Sequence, residues 1–120
     1  MTKIKSISKK QSSVNNKLKK VYKEIAEERG HYCTGCGRRH GDVMLSHSHL
    51  IPRSRRPDLV TDKNNITYHC LNGIDSNGIS RKGCHTIWES TKRYSLLDYH
   101  RNMLYILQVD SEYYNLIKEE

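Results

Sequence analysis

The sequence predicts a small α+β domain, and three observations carry that prediction. An amphipathic helical period near the N-terminus gives way to two short apolar runs of strand character, and helical periods return before the C-terminus. Four cysteines sit around the two strand-like runs. The chain has 120 residues, 35% hydrophobic content and no Phe, so its core is modest and suits a covalent or metal staple.

Residues 1–16 (MTKIKSISKKQSSVNN) mix Lys, Ser, Asn and Gln with few apolar anchors, and they read as a flexible basic arm ahead of a single domain over 17–120. From Lys17 onward Leu18, Val21, Tyr22, Ile25 and Ala26 recur at helical spacing, with Gly30 as the stop. HYCTGCGRRHGD (31–42) has the glycines of a tight knuckle. VMLSHSHLI (43–51) reads as a strand ended by Pro52, and ITYH (66–69) as a second strand after an Arg/Pro/Asp-rich loop. LNGIDSNGISRKG (71–83) reads as an exposed loop. A helix is expected from about His85, with Cys84, Ile87, Trp88 and Thr91 on one face. Ser95-x-x-Asp98 has the spacing of a capping box before LLDYHRNMLYIL, and a last helix is expected from Ser111. Leu96–Leu107 and Tyr113–Ile117 read as core helices more than as a dimer interface.

The formal net charge is +8, and it is unevenly spread. Residues 1–23 carry eight lysines and no acid, whereas residues 110–120 carry four acids and one lysine. Such a balance points to an anionic partner, and a polyphosphate backbone is the commonest. A membrane is not expected: the longest apolar stretch, MLYIL (103–107), is far short of the ~20 residues of a spanning helix. No apolar signal-peptide region follows the basic start, so the expected location is the cytoplasm.

In an exported chain Cys33, Cys36, Cys70 and Cys84 would read as two disulfides. The Cys33-x-x-Cys36 spacing favours metal instead, because two intervening residues turn both thiolates inward. Cys70 and Cys84 join them if 71–83 loops out. A structural four-cysteine Zn²⁺ site is therefore expected, with His31, His40 and His69 near enough to replace one cysteine.

Within this frame lie HLIPR (49–53), NITYHC (65–70) and Cys84-His85. In that order and spacing, over about residues 31–93, the chain resembles the HNH endonucleases, the ββα-metal or His-Me finger class. The basic helix before the CxxC and the HLIPR wording are most similar to phage recombination nucleases of the NinG type. The resemblance implies a small ββα-metal, treble-clef-like core flanked by a basic N-terminal helix and C-terminal helices. It also implies hydrolysis of DNA phosphodiesters with one divalent ion, Mg²⁺ first and Mn²⁺ or Ni²⁺ as alternatives. It assigns His49 as the general base, Asn65 as the residue that orients the base or meets the metal, and His85 as a metal ligand. The class usually has Asp, Glu or His before the base, and here Ser48 stands there. His47, on the same strand face as His49, and Glu89, one helical turn after His85, are the expected substitutes.

Arginine forks match phosphate oxygens, so Arg53, Arg55, Arg56, Arg38 and Arg39 are the expected backbone contacts, with the lysine-rich start adding salt-sensitive affinity. Two other classes stay open: a zinc-stapled nucleic-acid-binding module without catalysis, and a zinc domain that binds only protein.

Overall fold

The structure is a computed structural model that describes residues 9–74 and 77–118. Helix α1 spans Lys9–Arg29 and is followed by strands β1 (Leu45–His49) and β2 (Ile66–Cys70). A short hairpin of β3 (Gly73–Ile74) and β4 (Ser80–Arg81) precedes helices α2 (Cys84–Trp88), α3 (Tyr99–Val109) and α4 (Ser111–Ile117). No described helix is long and apolar enough to cross a membrane.

The basic arm expected over 1–16 is helical from Lys9 onward, while residues 1–8 lie outside the described part. The reason is one residue. Val14 sits a turn before Leu18 and packs with Val21 and Tyr22 against the buried Leu18, Ile25, Ile66 and Tyr68. That contact extends the amphipathic stripe upstream of the lysines. At the other end Gly30, at φ +73°, closes the helix with its N–H on the Ala26 carbonyl. Arg29 locks α1 to the sheet by donating to the carbonyls of Ile66 (2.6 Å) and Lys63 (2.9 Å).

β1 and β2 pair antiparallel, with Leu45 opposite Cys70, His47 opposite Tyr68 and His49 opposite Ile66. All five residues of β2 are buried. Leu45, Ile66 and Tyr68 pack with α1, whereas Thr67 and His69 meet partners outside it. A strand covered on both faces can hold polar side chains only where they find partners. Thr67 Oγ1 meets Thr34 Oγ1 at 2.6 Å, and His69 Nε2 meets Asp98 Oδ2 at 2.9 Å. Strand β1 is shorter than the expected 43–51 because Leu50 and Ile51 leave the ladder for the main core. That core also takes in Cys33, Val43, Trp88, Leu96, Met103 and Ile106.

Two local expectations change. Ser95 and Asp98 form no capping box: Ser95 closes a 3₁₀ turn over Arg93–Ser95 with its hydroxyl on the Lys92 carbonyl. Asp98 still precedes α3, but its carboxylate turns inward and accepts from Thr34 and His69. A buried His lacking a partner costs more than an uncapped helix end, so tertiary pairing wins. Helix α2 stops at Trp88, well before Thr91, which is exposed. The expected loop over 71–83 contains the β3–β4 hairpin.

Gly83 is fixed by close approach. A Cβ there would come within 2.3 Å of the Leu71 carbonyl carbon and 2.4 Å of the Cys70 oxygen. Gly83→Ala must push the start of α2 away from the end of β2, at a cost of about 1–3 kcal/mol or more. Its urea midpoint at fixed metal content should fall accordingly, and a midpoint equal to wild type would contradict this packing.

Candidate metal centre and histidine pocket

The knuckle over 33–38 is made by two backbone bonds, Gly37 N–H to the Cys33 carbonyl (2.7 Å) and Cys33 N–H to the Arg38 carbonyl (2.8 Å). It presents Cys33 and Cys36 to Cys70, at the end of β2, and Cys84, at the start of α2. The four sulfurs all lie within 4.8 Å of one another. A tetrahedral ion with metal–sulfur bonds of about 2.3 Å requires sulfurs about 3.8 Å apart, and Cys36 and Cys70 are 3.9 Å apart. The quartet, without any of the three histidines, thus forms a cluster able to hold a structural metal ion such as zinc. Gly35 permits it, since a Cβ there would lie 2.8 Å from that of Cys84.

Its electrostatics fit the same role. The Cys84 thiol, together with backbone N–H groups of Cys70 and Cys36, brings Cys33 down to about 4 despite burial. The Cys84 thiol is pushed up, chiefly by sharing its proton with Cys33 and by burial, and burial also raises Cys36. One thiolate is stabilised and the next are opposed by its charge, which a divalent cation reverses. The Cys70 N–H lies 3.3 Å from the Cys33 sulfur, and two further donors, Cys84 N–H and Arg81, lie 3.3 Å from the Cys70 sulfur.

A separate cavity of about 510 Å³ opens beside β1. His47 and His49 of β1, Arg53 of the following loop, His85 of α2 and Glu89 just after it line it. His49 Nε2 is 2.9 Å from the Val60 carbonyl. A carbonyl only accepts, so Nε2 carries the proton and Nδ1 keeps its lone pair. Burial, assisted by Arg53, lowers the His49 pKa and outweighs the opposite pull of the Val60 bond. The site therefore favours the neutral ring.

Asn65, fully buried, holds the loop that supplies this carbonyl. Its Oδ1 accepts from Ile51 N–H at 2.8 Å, and its Nδ2 donates to the carbonyls of Ile51 and Leu59 at 3.2 Å each. Ser48 is also buried, and its hydroxyl lies 2.6 Å from His85 Nδ1. The other nitrogen of that ring, Nε2, lies 3.2 Å from Glu89 Oε1. His47 does not join this pair. Its ring stacks on Tyr22 of α1, with centroids 3.7 Å apart and planes at 12°, and burial lowers its pKa. Among the described residues, no third His, Cys, Asp or Glu makes a close three-donor cluster with His85 and Glu89.

The five arginines separate. Arg53 is exposed on the cavity wall. Arg55 is bound to Asp110 and lies over the Tyr113 ring, and Arg56 is bound to Asp58, Asp110 and the Val109 carbonyl. Arg55 first, then the Tyr113 N–H and Arg56, hold the Asp110 carboxyl down to about 2. Arg38 leans on the Cys36 thiol, and Arg39 is exposed. Sequence reasoning did not single out Arg93, which lines the cavity while donating to the carbonyls of Trp88 (2.9 Å) and Ile117 (3.1 Å). No motif marks it, because its place depends on where α4 ends. Comparison with protein-family models, with curated proteins and with solved structures gave no match.

Metal binding at such thiolate sites is worth about 10 kcal/mol or more, comparable to the whole ~5–15 kcal/mol stability of a domain. Titrating the protein with a chelator should therefore release one ion per chain. Far-UV circular dichroism and the Trp88 fluorescence should be lost together. Retention of both signals after complete ion release would show that the quartet is not a staple.

Proposed function

We propose that this chain is a metal-dependent HNH endonuclease acting on DNA, with β1, β2 and α2 as its ββα-metal core. The observation that carries this reading is the state of His49. Its Nε2 faces the Val60 carbonyl at 2.9 Å, an arrangement that with burial favours a neutral ring with Nδ1 unprotonated, in the same cavity as His85, Glu89 and Arg53. The strand–strand–helix order and the +8 charge agree with it.

In this reading Nδ1 of His49 takes a proton from water as the water oxygen bonds to phosphorus and the bond to the 3′-oxygen breaks. Asn65 acts as a positioning residue, by fixing the loop whose carbonyl sets the His49 tautomer. Arg53 stabilises the added charge on the phosphoryl oxygens. His85 Nε2 and Glu89 are the residues that would hold the divalent ion. A nitrogen and a carboxylate 3.2 Å apart suit an ion that completes its shell with water and phosphate oxygens. Bound there, the ion would supply neutralisation of charge on the phosphate and the leaving oxygen. Ser48 is too buried to be a ligand; it orients His85 through Nδ1, the usual task of a partner behind a metal-binding imidazole.

That no described residue adds a third close donor beside His85 and Glu89 favours one alternative, a metal-stapled nucleic-acid-binding module without catalysis. Nicking of supercoiled plasmid DNA in Mg²⁺, Mn²⁺ or Ni²⁺ separates the two. The nuclease should cleave, and His49→Ala should lose about 10²–10⁴-fold in rate with unchanged circular dichroism and metal content. A wild-type chain that binds DNA but never nicks it leaves the module. Since the base must be unprotonated, and burial lowers its pKa, the rate should rise with pH. The midpoint of that rise should lie below the ordinary imidazole value of about 6.5. A limb centred above that value would exclude His49 as the base.

A further inference from the structure

A second cavity, of about 310 Å³, lies between the end of α1, the 3₁₀ turn Lys63–Asn65 with the start of β2, and α3. That volume is at the small end for ligand sites. Its polar lining is almost all donor or amide: Arg29, Arg101, Asn64, Asn102 and Gln108, beside the ring of Tyr105, and no carboxylate lines it. Arg29 is held rigidly by two carbonyls, which leave three of its five N–H groups to spend. Arg101 is exposed and has no ion pair among the described residues. Asn102 is buried, and its side-chain amide leans on the Asp98 carboxylate without a close hydrogen bond among the described residues. Of the acids on the adjoining elements, Asp62 is engaged through both oxygens, and Asp98 is engaged through Oδ2 alone while its Oδ1 has no close partner among the described residues. Asp62 takes the Tyr105 hydroxyl at 2.8 Å and the Asn64 N–H at 3.0 Å, and Asp98 takes Thr34 and His69 through Oδ2.

Such a lining calls for an anionic, acceptor-rich ligand with a flat apolar part: arginine forks for a phosphate, amides for a heteroaromatic edge, and Leu50, Ile66 and Tyr105 for a ring. We propose that this cavity binds one unpaired nucleotide, with its phosphate on Arg29 and Arg101. Leu50 lines this cavity and also the histidine cavity, so the two sites meet at the residue after His49. A base inside a continuous duplex cannot enter such a pocket, because it would have to leave its stack. The preferred DNA is therefore one with a bulge, flap or single-stranded branch. The inference extends the nucleic-acid part of the proposed function and does not depend on cleavage at His49.

The test is binding by the full metal-loaded chain, read by fluorescence anisotropy without added Mg²⁺. The probes are an uninterrupted duplex and the same duplex with one unpaired nucleotide, and a deoxynucleoside 5′-monophosphate serves as competitor. Arg101→Ala should weaken binding to the interrupted duplex about fivefold or more, with less than about twofold change on the uninterrupted one. Arg101→Lys, which keeps the charge and loses the fork, should fall between. Equal loss on both probes, or no loss on either, overturns the proposal. Displacement by the monophosphate that Arg101→Ala abolishes would assign the pocket to a free nucleotide, and differential loss without displacement assigns it to a DNA strand. If the wild type binds differentially yet never nicks plasmid, the nuclease reading fails and this one stands.

Discussion

The four-thiol cluster is the constraint on which the rest depends. The knuckle, the end of β2 and the start of α2 converge there, helped by the bonds of Thr34 to Tyr68 and Thr67 and of Gly83 to Asn72. Helix α2 is five residues long, too short to be stable alone. Its position is fixed at one end by Cys84 and Gly83 and at the other by Trp88, buried in the main core. Because α2 carries His85 and ends at Glu89, the cluster also sets one wall of the histidine cavity. A metal ion in the cluster would thus act on the second site through geometry, with no contact to it.

Around that anchor, buried polar groups do the positioning that a larger apolar core would do elsewhere. Asn65 uses both ends of its amide on the 51–59 loop, Ser48 meets His85, and Thr34 ties Thr67 to Asp98. Burial works against ionisation of Asp98, yet the His69 and Thr34 bonds keep its carboxyl below the ordinary value. Each of these side chains has one geometry in which its bonds are met, so the network specifies a single arrangement while contributing modest net stability. Three atoms of the His69–Asp98–Asn102 group remain without hydrogen-bond partners, which makes it the least satisfied part of the interior.

The positive charge is also divided by structure. Arg55 and Arg56 are spent on Asp110 and tie the loop after β1 to the start of α4. Arg29 is spent in part on joining α1 to β2. Arg53 and Arg101 remain exposed, on the walls of the two cavities that share Leu50. A formal +8 therefore says little about where an anion would sit. The carboxylates that neutralise some arginines and spare others decide it.

Much of the framework was legible in the sequence. The CxxC spacing announced the knuckle, and the period of Leu18, Val21, Tyr22 and Ile25 announced α1. The alternation in 43–51 and 66–69 announced the two strands, because each pattern encodes local geometry. His49, Asn65, His85 and Glu89 were legible as residues of interest, and all but Asn65 line one cavity. Long-range partners were not legible: Tyr22 beneath His47, the Val60 carbonyl at His49, Asp98 turned from a helix cap to His69, and Arg93 reaching Ile117. The sequence by itself determined which segments form helices and strands and which thiols can meet, since spacing along one element fixes those. Only the tertiary structure decided which imidazole keeps a lone pair and which arginine stays unpaired, since those depend on groups brought together from distant parts of the chain.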